Sequence, residues 1–251
     1  MKPEEKPWYE DEEFWKDSPF NIDHIERAPK EIDKIESLAD LDPGMKILDL
    51  CCGVGRHSIE LAKRGYEVTG VDITEHYLEK GKKKAEEEEL DIEFVKEDMR
   101  EFKREEGFDV VLNLFTSFGF FEDEEENRKV LENVYESLRP NGKFIIDVMG
   151  KEILARIFKE KDWSERDNRF MLEERSVEKD WSWMKTRRIL ITEEGKKEYN
   201  ISHWVYSAKE LKDMLKEAGF SSIEAYGNYE GELYDEEADR LIVIGEKEIF
   251  R

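Results

Sequence analysis

The sequence predicts an α/β protein with a doubly wound sheet. Apolar strand patterns alternate with amphipathic helix patterns from about residue 32 to a final strand at 241–244. The first strand, 46–50, runs into a glycine turn at 53–55 and a helix, and the second strand ends in the acid Asp72. Such a turn lets the backbone approach a ligand closely, and an acid in this position can accept hydrogen bonds from ribose hydroxyls. The same segment therefore predicts both the fold class and a nucleoside-bearing ligand.

The remaining elements follow from periodicity and from start and stop signals. Ser207 and Glu210 form a capping-box pattern before the last helix, Thr74 can cap an earlier one, and an acidic run opens the helix after residue 123. The predicted helices lie near 32–39, 56–64, 75–85, 124–138 and 208–218, and further strands near 91–95, 108–113 and 143–148.

Residues 163–206 interrupt the alternation of strands and helices. Apolar and polar side chains alternate strictly over 181–191 and again over 199–205, with a turn at 193–195 between them. This pattern predicts an antiparallel hairpin, extended by a strand at 170–177. Because it is inserted between the fifth strand and the capped helix, it is a candidate lid.

Two residues distinguish between the nucleoside-bearing cofactors. A dinucleotide turn favours a third small residue where the helix packs on the strand, but serine stands there at Ser58. Asp49, just before the turn, would repel a pyrophosphate and attract the cationic end of a methionine moiety. The charge therefore favours S-adenosylmethionine over a nicotinamide dinucleotide.

From about residue 30 to 246 the chain resembles the class I S-adenosylmethionine-dependent methyltransferases. Their first motif, an acid followed by a glycine-rich turn, corresponds to 49–55, and 94–99 resembles their adenine-binding turn. The resemblance implies seven strands with the last antiparallel, the methionyl part at Asp49 and the turn, ribose at Asp72, and adenine at Asp98 beside Met99. The expected cofactor-binding residues are Asp49, Cys51, Gly53, Gly55, Asp72, Ile73, Asp98, Met99 and Asn113.

The resemblance and the composition divide the chain into three parts. The insertion, 161–206, looks like the substrate-covering sheet of glycine N-methyltransferase and aminosugar N,N-dimethyltransferases. The cofactor-binding core is expected at 29–160 and 207–251. The aromatic-rich segment 1–28 is expected to fold over the cofactor as a lid, with a plain helix packing Phe14 and Trp15 on the core as an equal alternative.

Charge and composition exclude several classes of partner. The net charge is −23 and the densest basic run, 80–84, is followed at once by four glutamates, so no nucleic-acid partner is expected. No segment approaches the roughly 18 apolar residues of a membrane span, and no signal peptide is evident, so a cytoplasmic protein is expected. The two cysteines, Cys51 and Cys52, are adjacent and supply neither a long-range disulfide nor a metal site. The oligomeric state stays open.

Candidate catalytic and substrate residues come from three segments. His203 in the predicted hairpin, Arg56 at a helix start and Tyr9 in the amino-terminal segment are the catalytic candidates. A lone histidine on a strand is more often structural, and Arg56 is at least as well explained as an exposed polar residue of the helix. The acceptor pocket is expected along the aromatic run after the fourth strand and in the hairpin, at Ser117, Phe118 and Trp204, with core packing as the alternative.

The predicted activity is methyl transfer by in-line displacement to a small-molecule acceptor. No residue is an unambiguous base, which favours a nitrogen acceptor. An Asn-Pro-Pro-Tyr type motif is missing after the fourth strand, where 113–116 reads Asn-Leu-Phe-Thr, and no cysteine there could form a covalent adduct with cytosine. A catalytically silent cofactor-binding module and, less favoured, an NAD-dependent oxidoreductase remain as alternatives.

Overall fold

A computed structural model describes residues 6–17, 25–166 and 168–248 of the 251-residue chain. The described part contains two β-sheets with helices packed around the larger one. The strands are β1 Lys46–Leu50, β2 Glu67–Asp72, β3 Ile92–Lys96, β4 Phe108–Asn113, β5 Leu138–Val148, β6 Lys161–Arg166, β7 Arg169–Glu178, β8 Trp183–Thr192, β9 Gly195–Trp204, β10 Ser221–Tyr226 and β11 Leu241–Glu246. The helices are α1 Glu12–Asp17, α2 Ala28–Ala39, α3 Arg56–Lys63, α4 Glu75–Glu87, α5 Glu124–Ser137, α6 Lys151–Ile157 and α7 Ala208–Glu217.

The larger sheet has seven strands in the order β10-β11-β5-β4-β1-β2-β3. Neighbouring strands are parallel except that β11 runs antiparallel to both β5 and β10. The strand order reverses direction at β1 and β4, which is where a doubly wound fold opens its ligand crevice. The predicted fold class is confirmed, including the antiparallel last strand.

The helices cover both faces of this sheet. In β4, Val111 joins one buried cluster with α5 and α7, whereas Leu112 joins another with α2 and α3. Successive strand residues point to opposite faces, so an uninterrupted apolar strand is buried on both sides. This packing fixes the carboxyl ends of β1 to β5 at one edge of a rigid layer.

The smaller sheet is formed entirely by the insertion. Strands β6 to β9 are sequential and antiparallel, and β8 and β9 pair from Trp183 with Trp204 to Thr192 with Gly195. The predicted hairpin and its extension are confirmed. A fourth strand, β6, precedes the three predicted ones in the chain and was not predicted. At the base of the smaller sheet, the Trp204 N–H donates to the Gly119 carbonyl at 2.7 Å, which ties the insertion to the core.

At the ends of two helices, one local prediction is confirmed and one is wrong. The capping box is present, with the Ser207 hydroxyl and the Glu210 carboxylate each accepting a bond from the other residue's backbone N–H. Leu138, predicted on the buried face of the preceding helix, instead begins β5, because α5 ends at Ser137 and the chain turns directly into an extended conformation. The residue is fully buried either way, which is why periodicity alone misplaced it.

The described part of the amino-terminal segment lies between the two sheets. Trp8 Nε1 donates to the Ser202 carbonyl in β9 at 2.9 Å, and Phe14 in α1 is buried. On the core side, the Tyr77 hydroxyl donates to the Trp15 carbonyl. Of the predicted lid, 1–5 and 18–24 lie outside the described residues. None of the helices in the described part of the chain is long and apolar enough to cross a bilayer.

Candidate active site

A cavity of about 780 Å³ lies at the carboxyl ends of the parallel strands. The strand ends form its base, residues 8–15 form one wall, and β7, β8 and β9 of the smaller sheet cover it. Its volume is within the ~300–1,000 Å³ typical of sites that enclose small molecules. The cavity is therefore the candidate active site.

Asp49 in β1 lines the cavity although its side chain is almost completely buried. The Ser58 hydroxyl in the first turn of α3 donates to Asp49 Oδ2 at 2.6 Å. Ser58, which departs from the dinucleotide pattern, thus orients Asp49, the acid whose charge would repel a pyrophosphate. A fixed carboxylate here can hold a cationic ligand group.

The turn after β1 requires its glycines for different reasons. Gly53 lines the cavity and has a φ of +57°, with open space where a Cβ would stand. Gly55, at φ +74°, does not line the cavity; a Cβ there would approach the Phe94 ring to 2.8 Å. Gly55 therefore allows α3 to start close to β3, while Gly53 is the glycine available for close contact with a ligand.

Asp72 lines the cavity at the end of β2. Its Oδ2 accepts from the Gly53 N–H and its Oδ1 from the Thr74 N–H, both at 2.8 Å. Burial raises the pKa of the carboxyl group above its usual value, against the lowering effect of these two hydrogen bonds. The next residue, Ile73, also lines the cavity. Asp72 is thus placed as expected for a ribose ligand, a role that stays a prediction.

Asp98 and Met99 line the cavity after β3, but the sequence analysis missed the partner of the acid. Arg100 binds the Asp98 carboxylate through Nε and Nη2, at 3.0 and 2.6 Å to its two oxygens. Burial raises the pKa of Asp98, but the hydrogen bonds from Arg100 outweigh it and lower the pKa overall. Cys51 Sγ lies 3.5 Å from Met99 Sδ, so the predicted Cys51 also lies at this end of the cavity.

The aromatic run after β4 divides between cavity and core. Phe115, Ser117, Phe120 and Phe121 line the cavity. Phe118, predicted to line it, is instead buried in the core, with its ring centroid 5.7 Å from that of Tyr206. The correction reflects the turn geometry: Phe115 and Thr116 both have positive φ values, +62° and +59°, so side chains in this run do not alternate as in a strand.

Two further predicted residues lie beside the cavity and not in it. The Asn113 amide is buried and donates to the Leu50 carbonyl at 3.3 Å, which links β4 to β1. Trp204 donates from Nε1 to the Phe121 carbonyl at 2.9 Å and faces a separate cleft of about 310 Å³. Both side chains therefore support cavity-lining segments without lining the cavity themselves.

The three candidate catalytic residues all line the cavity. Burial, assisted by the positive charge of Arg188, lowers the pKa of His203 to about 4, so its imidazole is neutral at pH 7. Burial raises the pKa of the Tyr9 hydroxyl. Arg56 pairs with Glu31, and its guanidinium carbon lies 4.4 Å from the centre of the Phe115 ring. None of the three is therefore set up as a strong base at neutral pH.

The smaller sheet contributes polar residues that the sequence analysis missed. Glu173, Thr186 and Arg188 line the cavity, and Arg188 Nη2 donates to Glu173 Oε1 at 2.8 Å. The alternating pattern could have indicated them, because alternate residues of neighbouring strands lie on one face of a sheet. His203 was already a candidate, and Thr186 and Arg188 lie on the same face as His203. Arg240, before β11, also lines the cavity and had no sequence signal.

Comparison with known proteins identifies the family of this site. The family described as a methyltransferase domain matches residues 47–142, which include the glycine turn and the acids of β1 to β3. The chain contains a methyltransferase domain at 47–142, and its relatives and fold support an S-adenosylmethionine-dependent methyltransferase. S-adenosylmethionine is its cofactor, and the cavity offers carboxylates at three successive strand ends, Asp49, Asp72 and Asp98, to a ligand with cationic and ribose groups.

Relatives of the methyltransferase extend the match beyond this domain. A candidate methyltransferase of Geobacillus sp. (strain WCH70) is 26% identical over 250 residues, covering 95% of this chain and 99% of the relative. The glycine/sarcosine N-methyltransferase of Aphanothece halophytica is 26% identical over 206 residues, or 81% of this chain and 76% of that protein. The crystal structure of an S-adenosylmethionine-dependent methyltransferase from Clostridium acetobutylicum has the same fold, with a TM-score of 0.78 at 16% identity, covering 92% and 94% of the two chains.

Proposed function

We propose that this methyltransferase transfers the methyl group to a nitrogen atom of a small molecule that binds inside the cavity. The observation that carries the proposal is the double cover over the strand ends. Trp8 bonds to Ser202 of the smaller sheet, and Phe14 packs against Tyr199 with ring centroids 5.3 Å apart. A site closed from two sides suits an acceptor small enough to share about 780 Å³ with the cofactor.

The cofactor end of the cavity follows from the acids and the turn. In this proposal Asp49 and the backbone at Gly53 hold the methionyl part, Asp72 binds the ribose hydroxyls, and Asp98 lies beside the adenine with Met99 and Ile73. S-adenosylmethionine supplies an electrophilic methyl group with a good leaving group. The protein then has to align an acceptor lone pair with that carbon and exclude water, and alignment alone can account for roughly 7–11 kcal/mol of the barrier.

The lining groups support nitrogen as the methylated atom. The pKa of His203 is lowered to about 4, which makes its imidazole a weak base. Burial raises the pKa values of both the Tyr9 hydroxyl and the Cys51 thiol, so neither is ionised near neutral pH. An oxygen or carbon acceptor usually needs a base, whereas a neutral amine carries its own lone pair. The relative that methylates glycine and sarcosine at nitrogen is consistent with this choice.

The same proposal assigns the parts of the chain. Residues 29–160 and 207–251 form the cofactor-binding core, 161–206 covers the acceptor, and 1–28 acts as a lid. Large nucleic-acid or protein acceptors are disfavoured by the cover, and the net charge of −23 repels the phosphate backbone of a nucleic acid. Both cysteines are free thiols, which suits a reducing, cytoplasmic compartment.

The first experiment is incubation of the purified enzyme with methyl-labelled S-adenosylmethionine and separate small-molecule, RNA and protein fractions of a cell extract. Label in the small-molecule fraction, lost on Asp49→Asn, would support the proposal, and mass spectrometry of the product would show whether nitrogen carries the methyl group. Label in RNA or protein, or at oxygen or carbon, would contradict it. The matched control is Asp42→Asn, an exposed aspartate in the loop before β1.

A further inference from the structure

The charges that line the cavity are divided between its two ends. Acids lie at the ends of β1, β2 and β3, whereas the charged lining residues from the end of α6 onward are mainly basic. They are Lys159, Arg175, Arg188 and Arg240, against Asp162 and Glu173, and Arg56 at the start of α3 adds a fifth cation. Glu31 and Asp147 do not line the cavity but pair with Arg56 and Arg240. The acceptor end thus carries fixed cations in a chain with a net charge of −23.

Arg240 is the most informative of these cations. Its side chain is only 25% exposed, and its Nε donates to Asp147 Oδ1 at 2.6 Å. Nη2 makes a long contact, 3.5 Å, with the Thr116 hydroxyl. A guanidinium has five N–H donors, and within the described residues the other three have no acceptor, although the group lines the cavity.

Asp147 holds the Arg240 guanidinium in place and is itself fixed by other hydrogen bonds. Its carboxylate is completely buried and also accepts from the Tyr229 hydroxyl at 2.8 Å and from the Phe115 N–H at 3.2 Å. The Asp147 carbonyl accepts from the Thr116 N–H at 2.8 Å. One buried residue therefore fixes both Arg240 and the turn at 115–116, where two successive residues have positive φ.

The Phe115 ring completes the arrangement. The guanidinium carbon of Arg240 lies 5.3 Å from the ring centre, a distance at which a cation is attracted to the face of an aromatic ring. With Asp147 on one edge and Phe115 against it, the guanidinium can meet a ligand only with its remaining N–H groups. A fixed pair of such donors matches the two oxygens of a carboxylate or phosphate.

We propose that Arg240 binds an anionic group of the methyl acceptor, a carboxylate or a phosphate, and that Asp147 is its positioning residue. The inference rests on the proposed small-molecule acceptor and narrows it to amines that carry a negative charge elsewhere in the molecule. Arg240 is then a specificity-determining residue that contacts the acceptor at a distance from the reacting nitrogen.

The binding test needs no knowledge of the acceptor. Saturation-transfer NMR would follow the methyl protons of acetate and of methylphosphonate added to protein saturated with S-adenosylhomocysteine, at constant ionic strength. We expect saturable binding of at least one probe, weakened at least about tenfold in Arg240→Gln and less in Arg240→Lys, which keeps the charge. The probe that binds more tightly distinguishes a carboxylate from a phosphate site.

Tyr229→Phe is the matched control, because it removes one donor from Asp147 and leaves the guanidinium unchanged. Its affinity for the probes should stay within about threefold of the wild-type value, a smaller change than the tenfold or greater loss expected for Arg240→Gln. The inference is overturned if the wild-type protein binds neither probe. It is also overturned if a folded Arg240→Gln binds them as the wild-type protein does, with unchanged affinity for S-adenosylhomocysteine.

A second measurement separates this inference from the proposed function. The labelled small-molecule product would be fragmented in a mass spectrometer, which identifies a carboxylate or a phosphate whatever the charge on the methylated nitrogen. A product with either group supports the inference, whereas a product with neither overturns it and leaves methyl transfer to a small molecule standing. If label reaches only RNA or protein, the proposed function fails, and the NMR titration still decides whether Arg240 forms an anion site.

Discussion

The Asp72 carboxylate accepts a 2.8 Å hydrogen bond from the backbone N–H of Gly53, so the acid that ends β2 also fixes the turn that follows β1. Its other oxygen accepts from Thr74 at the start of the next helix. The two strands are parallel neighbours, and this side chain joins their carboxyl ends. The acid expected at the ribose and the glycine expected at the methionyl part are therefore one structural unit.

Asp72→Ala should weaken binding of S-adenosylhomocysteine by about 10- to 150-fold, the equivalent of ~1.5–3 kcal/mol for a lost charged hydrogen-bond partner. Isothermal titration calorimetry measures the change directly. Glu75→Gln is the matched control, since this exposed acid lies in the same loop-to-helix segment and pairs only with Lys96 among the described residues. Wild-type affinity in Asp72→Ala would refute the ribose role.

His203 should make stability depend on pH. Burial lowers its pKa from 6.5 to about 4, so between these values the unfolded chain binds a proton that the folded protein does not. Stability is therefore fully present above about pH 6.5 and is lost as the pH falls toward 4, by up to ~3 kcal/mol, an upper limit because the side chain is partly accessible to solvent.

His203→Gln should remove that loss. Urea unfolding at pH 7 and pH 4.5 gives the free energy of unfolding of both proteins, and the wild-type protein should lose more of it than the variant on acidification. Equal losses would mean that the histidine is protonated as easily in the folded protein as in the unfolded chain. The variant should also keep the wild-type pH profile of methyl transfer above pH 6.5, because the imidazole stays neutral there.

Removal of residues 1–20 tests the proposed lid. The truncation deletes Trp8 and Phe14, which line the cavity, and the bond from Trp8 to Ser202. We expect weaker binding of S-adenosylhomocysteine and slower turnover with little change in the unfolding of the core, measured by calorimetry and thermal melting. A protein lacking only residues 1–5 keeps every contact described above and is the control. A stable 21–251 protein with wild-type affinity and turnover would contradict the lid role.

The sequence was most informative where the signal is local. The glycine turn, the acids that end β1 and β2, and the capping box at Ser207 each depend on neighbouring residues, and each is found where it was predicted. Patterns of period two and 3.6 then fixed the order of elements, and the alternation over 181–205 gave two strands of the smaller sheet.

What the sequence could not provide was the direction of side chains outside regular elements and the pairing of distant residues. Phe118 and Phe121 are chemically alike and both are buried in one core cluster, but only Phe121 also lines the cavity. Arg240 and Asp147 are 93 positions apart, and only the antiparallel pairing of β11 with β5 brings them together. No local pattern marks such a pair.

Gly119 lies where the loop after β4 meets β9 of the smaller sheet. Gly119→Ala should lower the free energy of unfolding and weaken binding of the acceptor. The residue has a φ of +92°, and a Cβ would lie 2.9 Å from the Trp204 carbonyl oxygen. Backbone strain costs about 1–3 kcal/mol, and overpacking against the strand adds a further ~1–3 kcal/mol. Gly44→Ala is the matched control, because Gly44 has a φ of +89° with open space around it and suffers only the strain.

The difference between the two variants in urea unfolding isolates the contact with Trp204. Since the Gly119 carbonyl also accepts the Trp204 N–H, relief of the clash must move β9 away from the wall that includes Phe120 and Phe121. Gly119→Ala should therefore raise the KM for the acceptor while the affinity for S-adenosylhomocysteine, proposed to bind at the β1 to β3 ends, stays unchanged. Equal effects of the two substitutions would show that β9 and the loop after β4 move independently, so that the smaller sheet does not set the shape of the acceptor wall.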